Sequence, residues 1–392
     1  MNGDYLMMLN RIGLFLLSVG VASSIGTFSA LALLPLILGI RLDNEKYNLR
    51  VFKNIEIQRN FILMLFFLSC LFLSGINSYN NLGIKESLHY FERMLPFVLA
   101  ILFIKDSNSY KSIFVGLFVG AVIFMFSFWR NYFEVTTYRP HSLLGSANIL
   151  GGTIILLIPF FISFFLFFKN NIKIKILSTI ALICLILTLL VSQSRGAILG
   201  ISISLFSIPV VMYKNKIINF KKCFISIIAI ILIAAGMYWE FYSFFHRSYD
   251  LERILLRESS WRMFLDHPLF GVGMGNFNEV YLGNYISPLA KAPKLAHSHN
   301  IYFKFLAETG IIGVFGFISL IIFQIKYLYK KIYDDKKQKG NFICSAMFLG
   351  IIGMLAHGWV DVCFSARSYA MLYWFLWGVT CKSIIDNCKK TL

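Results

Sequence analysis

The chain reads as a series of long apolar runs separated by short polar breaks. Runs near residues 7–23, 25–40, 61–78, 91–104, 112–129, 148–168, 176–192, 197–212, 223–239, 301–324, 342–360 and 369–385 approach the roughly 20 apolar residues that a helix needs to cross a bilayer core. Apolar positions within them are continuous rather than alternating, which excludes the period-two strands of a membrane barrel and leaves helices as the spanning elements. The pattern predicts an all-α polytopic membrane protein of about twelve helices. Residues 1–239 carry nine of them, 240–300 form one longer polar segment with an amphipathic helix, and 301–392 carry the last three with a tail. The least regular positions are the first pair, split only by 23–27, and the fourth run, entered through Glu92 and Arg93.

Composition sharpens this picture. Of 392 residues, 58% are hydrophobic and only 14% charged, which argues against soluble, disordered and coiled-coil classes. A balance of 37 Lys+Arg to 19 Asp+Glu would suggest nucleic acid in a soluble protein; in a polytopic one the distribution matters more. The loops 41–59, 105–111, 169–175, 214–222 and 326–339 and the tail from Lys382 together hold 23 Lys/Arg and 7 Asp/Glu, mostly Lys. The positive-inside rule assigns that side, with both termini, to the cytoplasm. On the other face, 240–300 carries six basic residues (Arg247, Arg253, Arg257, Arg262, Lys291, Lys294) and six acidic ones, and the other notable charges are mainly arginines: Arg130, Arg139, Arg195 and Arg367. Arginine's planar fork matches phosphate oxygens as a lysine point charge does not. The seven cysteines form no CxxC pair and read as reduced thiols, and the N-terminus shows no cleavable signal pattern.

Four outer-face stretches carry candidate chemistry. SQSRGA (192–197) turns between two runs and leaves Arg195 at the membrane surface, flanked by small residues that allow an anion close approach; the competing reading is an anchor that reaches to lipid headgroups. RESSWRMFLDHPLFGVGMGNF (257–277) places Arg257 four residues before Trp261, on one helical face. If Trp261, Phe264 and Leu265 pack down, Arg257 turns inward with them, and Pro268 and the glycines after it end the helix. No strand precedes GVGMGN, so it is not a nucleotide loop. KLAHSHNIYFKFLAETGIIG (294–313) offers His297 and His299, with Asn300 as a helix cap. The His pair lacks a clear third ligand, so no metal is expected, and His299 is the natural general base. WVDVCFSAR (359–367) puts Asp361 where it can orient His299, pair with Arg367 or hold Arg195. His141, in YRPHSLLGSAN (138–148), completes the polar set of that face. No serine or cysteine nucleophile sits in a recognisable pattern.

These stretches resemble the bacterial O-antigen ligases, within the wider group of O-antigen polymerases and related membrane glycosyltransferases. The likeness rests on SQSRGA after an apolar run, on Arg257 four before an aromatic in RESSWRMFLDHPLFGVG, and on His299 in HNIYFKFLAETGI, which reads His-Asn, nine residues, Gly-Ile. It implies transfer of a glycan from undecaprenyl diphosphate to a sugar of the lipid A core, on the periplasmic side of the bacterial inner membrane, without cofactor, nucleotide or metal. By the same likeness Arg195 and Arg257 would hold the donor diphosphate, His299 would act on the acceptor hydroxyl and Asp361 would support the site. Arg139, His297, Arg262 and Arg367, on the same face, are further candidate substrate contacts. Alternatives are an O-antigen polymerase, a protein O-oligosaccharyltransferase and, from another class, a flippase or exporter of lipid-linked sugars. An exporter is expected to show internal repeats and midplane charges, whereas here the ionisable residues collect at one interface.

Overall fold

A computed structural model describes residues 3–42, 51–78, 80–134, 142–168, 170–214, 218–228, 250–291, 297–333 and 342–390. The apolar runs fall on helices: α1 Gly3–Ser23, α2 Gly26–Leu42, α3 Ile55–Ile76, α4 Leu82–Phe103, α5 Ser107–Glu134, α6 Ala147–Phe167, α7 Ile172–Val191 and α8 Arg195–Lys214, then α10 Ile301–Tyr333, α11 Phe342–His357 and α12 Arg367–Lys390. The amphipathic α9 is Asp250–Asp266. Of the ninth expected run, 223–239, only the part to 228 is described, and 220–228 are helical. Among the described residues six helices, α1, α3, α5, α6, α7 and α10, are long and apolar enough to cross a membrane, and shorter apolar stretches lie in α2, α8 and α11. The protein is a polytopic helical membrane protein.

The bundle is organised around α6 and α12. Most of α6 is buried, and it packs against α7, α8 and α11, while α12 packs against α4. Tyr369, Tyr373, Trp374 and Trp377 on α12 are fully enclosed. Two of their polar ends find partners: Trp377 donates to Asn60 Oδ1 at 3.1 Å and Tyr373 pairs with Gln324. By contrast α7 exposes Ile172, Ile176, Ile180, Ile183 and Ile186, as a lipid-facing helix must. One end of the bundle is closed by ion pairs, Lys331 to Glu56 at 2.6 Å, Lys382 to Asp386 at 3.0 Å, and Arg11 to Asp106. That is the end of the Lys-rich loops.

The tenth run departs from the uninterrupted helix expected over 301–324. Gly310 adopts φ 58°, ψ −161°, and splits α10 in two. The backbone groups freed by the break are not left bare, which inside a membrane protein would cost several kcal/mol each. The segment after α9 supplies their partners. Ile311 N donates to Pro268 O at 2.8 Å, Ile312 N to Leu269 O at 3.3 Å, Val272 N to Ala307 O and Gly273 N to Glu308 O, both at 2.9 Å. Ser74 of α3 adds a 2.6 Å bond to Phe270 O. HPLFGVG is therefore more than a helix stop: it is a strip of backbone laid against the broken helix. Gly271 and Gly310 permit the approach, since a Cβ on either would lie 2.5 Å from backbone atoms of the other segment. Around this joint Leu256, Met263, Val272, Phe277, Val280 and Tyr281 form a second small core with Ala307.

Candidate active site

Residues 297–300 reverse the chain into α10, and His299 takes the left-handed region at φ 48°, where non-glycine residues are uncommon. The turn is held by its neighbours. Asn300 caps α10 by accepting from Tyr302 N at 2.9 Å and Phe303 N at 3.1 Å, as its place before the apolar run predicts. Its Nδ2 donates to Trp359 O at 3.0 Å, and Ile301 N donates to Gly358 O at 2.8 Å. The His299 turn is thus bonded to the turn that follows α11, and Asp361 of that turn faces the ring: His299 Nδ1 lies 3.6 Å from Asp361 Oδ2, with the two side chains 13% and 6% exposed. Of the partners open to Asp361 in the sequence, His299 stands against it, while Arg367 pairs with Glu92.

The carboxylate is firmly placed. Asp361 Oδ2 also accepts from Asn148 Nδ2, and Oδ1 accepts from Val362 N at 2.6 Å. Burial by itself would raise the Asp361 carboxyl. The His299 side chain against it and the positive ends of His357, His299 and His297 more than offset this and hold it below the ordinary carboxylate range. His297 stands beside His299 with ring centroids 4.2 Å apart. Burial first, then the neighbouring His299, push the His297 imidazole down to about 4. Unfolded, that ring would titrate near 6.5, so between these values the unfolded chain binds more protons and stability falls as pH drops from 6.5 toward 4. Thermal melts at pH 7 and pH 4.5 are expected to show a smaller loss in His297→Gln than in the wild type; equal losses would refute the assignment.

His297, His299 and Asp361 each bring a ligand-capable atom within 4.8 Å of the others. The third ligand missing from the sequence is therefore supplied by the fold. Within the cluster the Asp361 carboxylate and His299 Nδ1 face each other at ion-pair distance, 3.6 Å, with both Asp361 oxygens also accepting hydrogen bonds from Asn148 and Val362.

SQSRGA reaches the same place from the other side. Its reversal uses Gln193 at φ 51°, and Ser194 Oγ donates to Asn148 Oδ1 at 3.2 Å. Arg195, half-buried, opens α8. The adjacent Gly196 is small because the bundle needs the room: a Cβ there would lie 2.2 Å from Val360 and 2.8 Å from His357. The small residues beside Arg195 therefore admit α11 and its turn, not only a ligand.

Arg257 lies half-buried on α9, its Nε donating to Arg253 O at 3.2 Å. With Ile254, Glu258, Trp261, Arg262 and Phe303 it lines a cavity of about 600 Å³. Phe303 lies in the first turn of α10, three residues after Asn300, so the cavity adjoins the His299 turn. Trp261 does not pack down as expected: it is 45% exposed, 5.2 Å from Phe264, and the buried face of α9 is Leu256, Ser259, Ser260 and Met263. The cavity walls are one aliphatic and two aromatic side chains, with two guanidinium groups and the Glu258 carboxylate among them. Arg367 is placed elsewhere, in an exposed ion pair with Glu92. Arg139, His141, Arg247 and Lys294 lie outside the described residues.

Two residues carry more than their sequence context signals. Asn148 joins Ser194 to Asp361, and only its position at the start of an apolar run hints at it. Arg93, an irregularity of the fourth run by sequence, is 7% exposed. It donates to Ser365 O and Glu86 Oε2, both at 3.1 Å, and its guanidinium lies 4.4 Å from the Tyr90 ring centre. It thereby fixes the entry to α12.

Comparison with known proteins bears on the same stretch. Residues 180–318 match the family model described as O-antigen ligase, an interval that includes Arg195, Arg257 and His299 and ends before Asp361. Over 240 residues, 57% of this chain, the sequence is 26% identical to "Teichuronic acid biosynthesis protein TuaE" of Bacillus subtilis (strain 168). The match covers 48% of that relative, so the chain spans about half of its length.

Proposed function

We propose, from the match of residues 180–318 to the O-antigen ligase family model, that the chain is a ligase that transfers a glycan from undecaprenyl diphosphate to the lipid A core, at the periplasmic face of the inner membrane. The observation that carries the reading is the pair of half-buried His299 and buried Asp361 at 3.6 Å, flanked by the start of α8 at Arg195 and by the Arg257 cavity. With Nδ1 toward Asp361, the Nε2 of His299 is the nitrogen left for an acceptor hydroxyl. His299 takes that proton as the hydroxyl oxygen attacks the anomeric carbon. The bond from that carbon to the diphosphate oxygen breaks, and the lipid diphosphate leaves with the electron pair, its charge met by Arg195 and Arg257. A single displacement inverts the anomeric centre. Asp361 stabilises the imidazolium until the proton is passed to solvent. Cofactor, nucleotide and metal have no step in this scheme.

The test is transfer by purified protein from a lipid-linked donor to rough lipopolysaccharide, with EDTA and without ATP. Arg195→Ala and Arg257→Ala are each expected to lower the rate by about 10²- to 10³-fold, the scale of losing one preorganised donor to developing charge. Wild-type rates in both variants would refute the assignment.

The relative's role in teichuronic acid biosynthesis favours a second reading, a polymerase that uses another lipid-linked glycan as acceptor with the same donor grip. A deletion strain separates the two: loss of a ligase leaves full-length polymer on the carrier lipid, loss of a polymerase leaves single units.

A further inference from the structure

Asn148 sits in the first turn of α6, behind the cap Ser146, whose Oγ accepts from Ile149 N at 3.4 Å. Its carboxamide is oriented by two different partners. Ser194 has a hydroxyl to give, and it donates to Asn148 Oδ1 at 3.2 Å, so the amide oxygen faces the Arg195 turn and the amide nitrogen faces Asp361 Oδ2. The backbone carbonyl of Asn148 is used as well, accepting from Cys363 Sγ at 3.2 Å, two residues beyond Asp361. Three elements distant in sequence, the starts of α6 and α8 and the turn after α11, therefore meet at one side chain. The amide is the hydrogen-bond donor to Asp361 Oδ2 among the described residues, beside the His299 ring at 3.6 Å, so removing it loosens that oxygen's placement.

We propose that Asn148 is the positioning residue that holds Asp361 against His299 and ties that pair to the Arg195 turn, which makes Ser194, Asn148, Asp361 and His299 one continuous polar chain. This rests on the reading of His299 as the base. An amide fits between these partners because it gives one hydrogen bond to the carboxylate, takes one from the serine and adds no charge. An aspartate at 148 would set a second carboxylate against Asp361. The titratable and charged groups around this cluster are His297 from the same turn, His357 from α11, Lys304 from α10, Arg253 from α9, and Cys363, and the substitution leaves each of them in place.

The experiment uses the full-length protein in lipid nanodiscs, with two readouts. The first is the pH profile of transfer. The second is the pH dependence of carbethoxylation at His299, mapped by mass spectrometry, which needs no turnover. Asn148→Ala is expected to lower kcat about 10-fold, the scale of losing an outer-shell partner, with the donor KM unchanged. Asn148→Asp is expected to move both the acid limb of transfer and the carbethoxylation midpoint upward by about one pH unit. An unmoved carbethoxylation midpoint in Asn148→Asp, with the protein folded, would overturn the role of Asn148. A midpoint that moves while the transfer profile stays fixed would support the placement of Asn148 and instead refute His299 as the base.

Discussion

Alanine at His299 is expected to lower transfer by about 10²- to 10⁴-fold, the range for loss of a positioned general base, while donor binding persists. The reason lies in the division of labour at the site. Arg195 and Arg257 come from α8 and α9, and neither depends on the His299 side chain for its backbone position. The turn itself is held by Asn300 and Ile301 through Trp359 and Gly358, so removing the ring leaves the cavity walls standing. An Asp361→Asn variant is expected to lose part of the same rate, because the amide no longer stabilises a positive ring. A carrier that only moved lipid-linked sugars across the membrane would be nearly indifferent to either change. Full transfer by His299→Ala would therefore remove both the base and the case for glycosyl transfer at this pocket.

The second large effect concerns stability. Gly271→Ala is expected to destabilise the protein by about 2 to 5 kcal/mol, combining a left-handed backbone that an L side chain resists with forced separation of two packed backbones. Gly271 has φ 66°, and a Cβ there would sit 2.5 Å from Glu308 C and Thr309 N and 2.6 Å from Ala307 O. No side chain can rotate away to relieve that contact. Gly283, where a Cβ meets nothing within 4 Å, is the matched control and is expected to tolerate alanine. Melting temperatures in detergent read the difference; equal melting of the two variants would show that the joint between the 268–273 strip and α10 is not structural.

What the sequence reveals follows from what each kind of signal can encode. Long apolar runs specify helices almost by themselves, since backbone groups in lipid have no other way to be satisfied, and the described runs are helical. The break at Gly310 is hidden because glycine in an apolar run is compatible with a continuous helix; only the partner strip from 268–273 makes the interruption tolerable, and that partner is remote in sequence. Trp261 shows the same limit on a smaller scale. Helical spacing groups it with Phe264 and Leu265, but spacing cannot say which stripe of an amphipathic helix meets protein, and the small Ser259 and Ser260 are the ones that pack inward. At the site, residue chemistry singles out His299 and Asp361, yet what brings the two together is the pair of bonds from Asn300 and Ile301 to the turn after α11. Asn148 carries no chemical signature of its own; its importance comes wholly from what stands on either side of it.

The interruption at Gly310 also fixes how high the pocket stands. At 1.5 Å per residue, 311–333 extend about 35 Å, sufficient alone to traverse a hydrocarbon layer of about 30 Å. The nine residues before the break, about 14 Å of helix, are thus not needed for the crossing. On the proposed reading, the imidazole just ahead of them stands beyond the crossing stretch, where a lipid-anchored pyrophosphate and a hydrated sugar would meet without either tail leaving the oil.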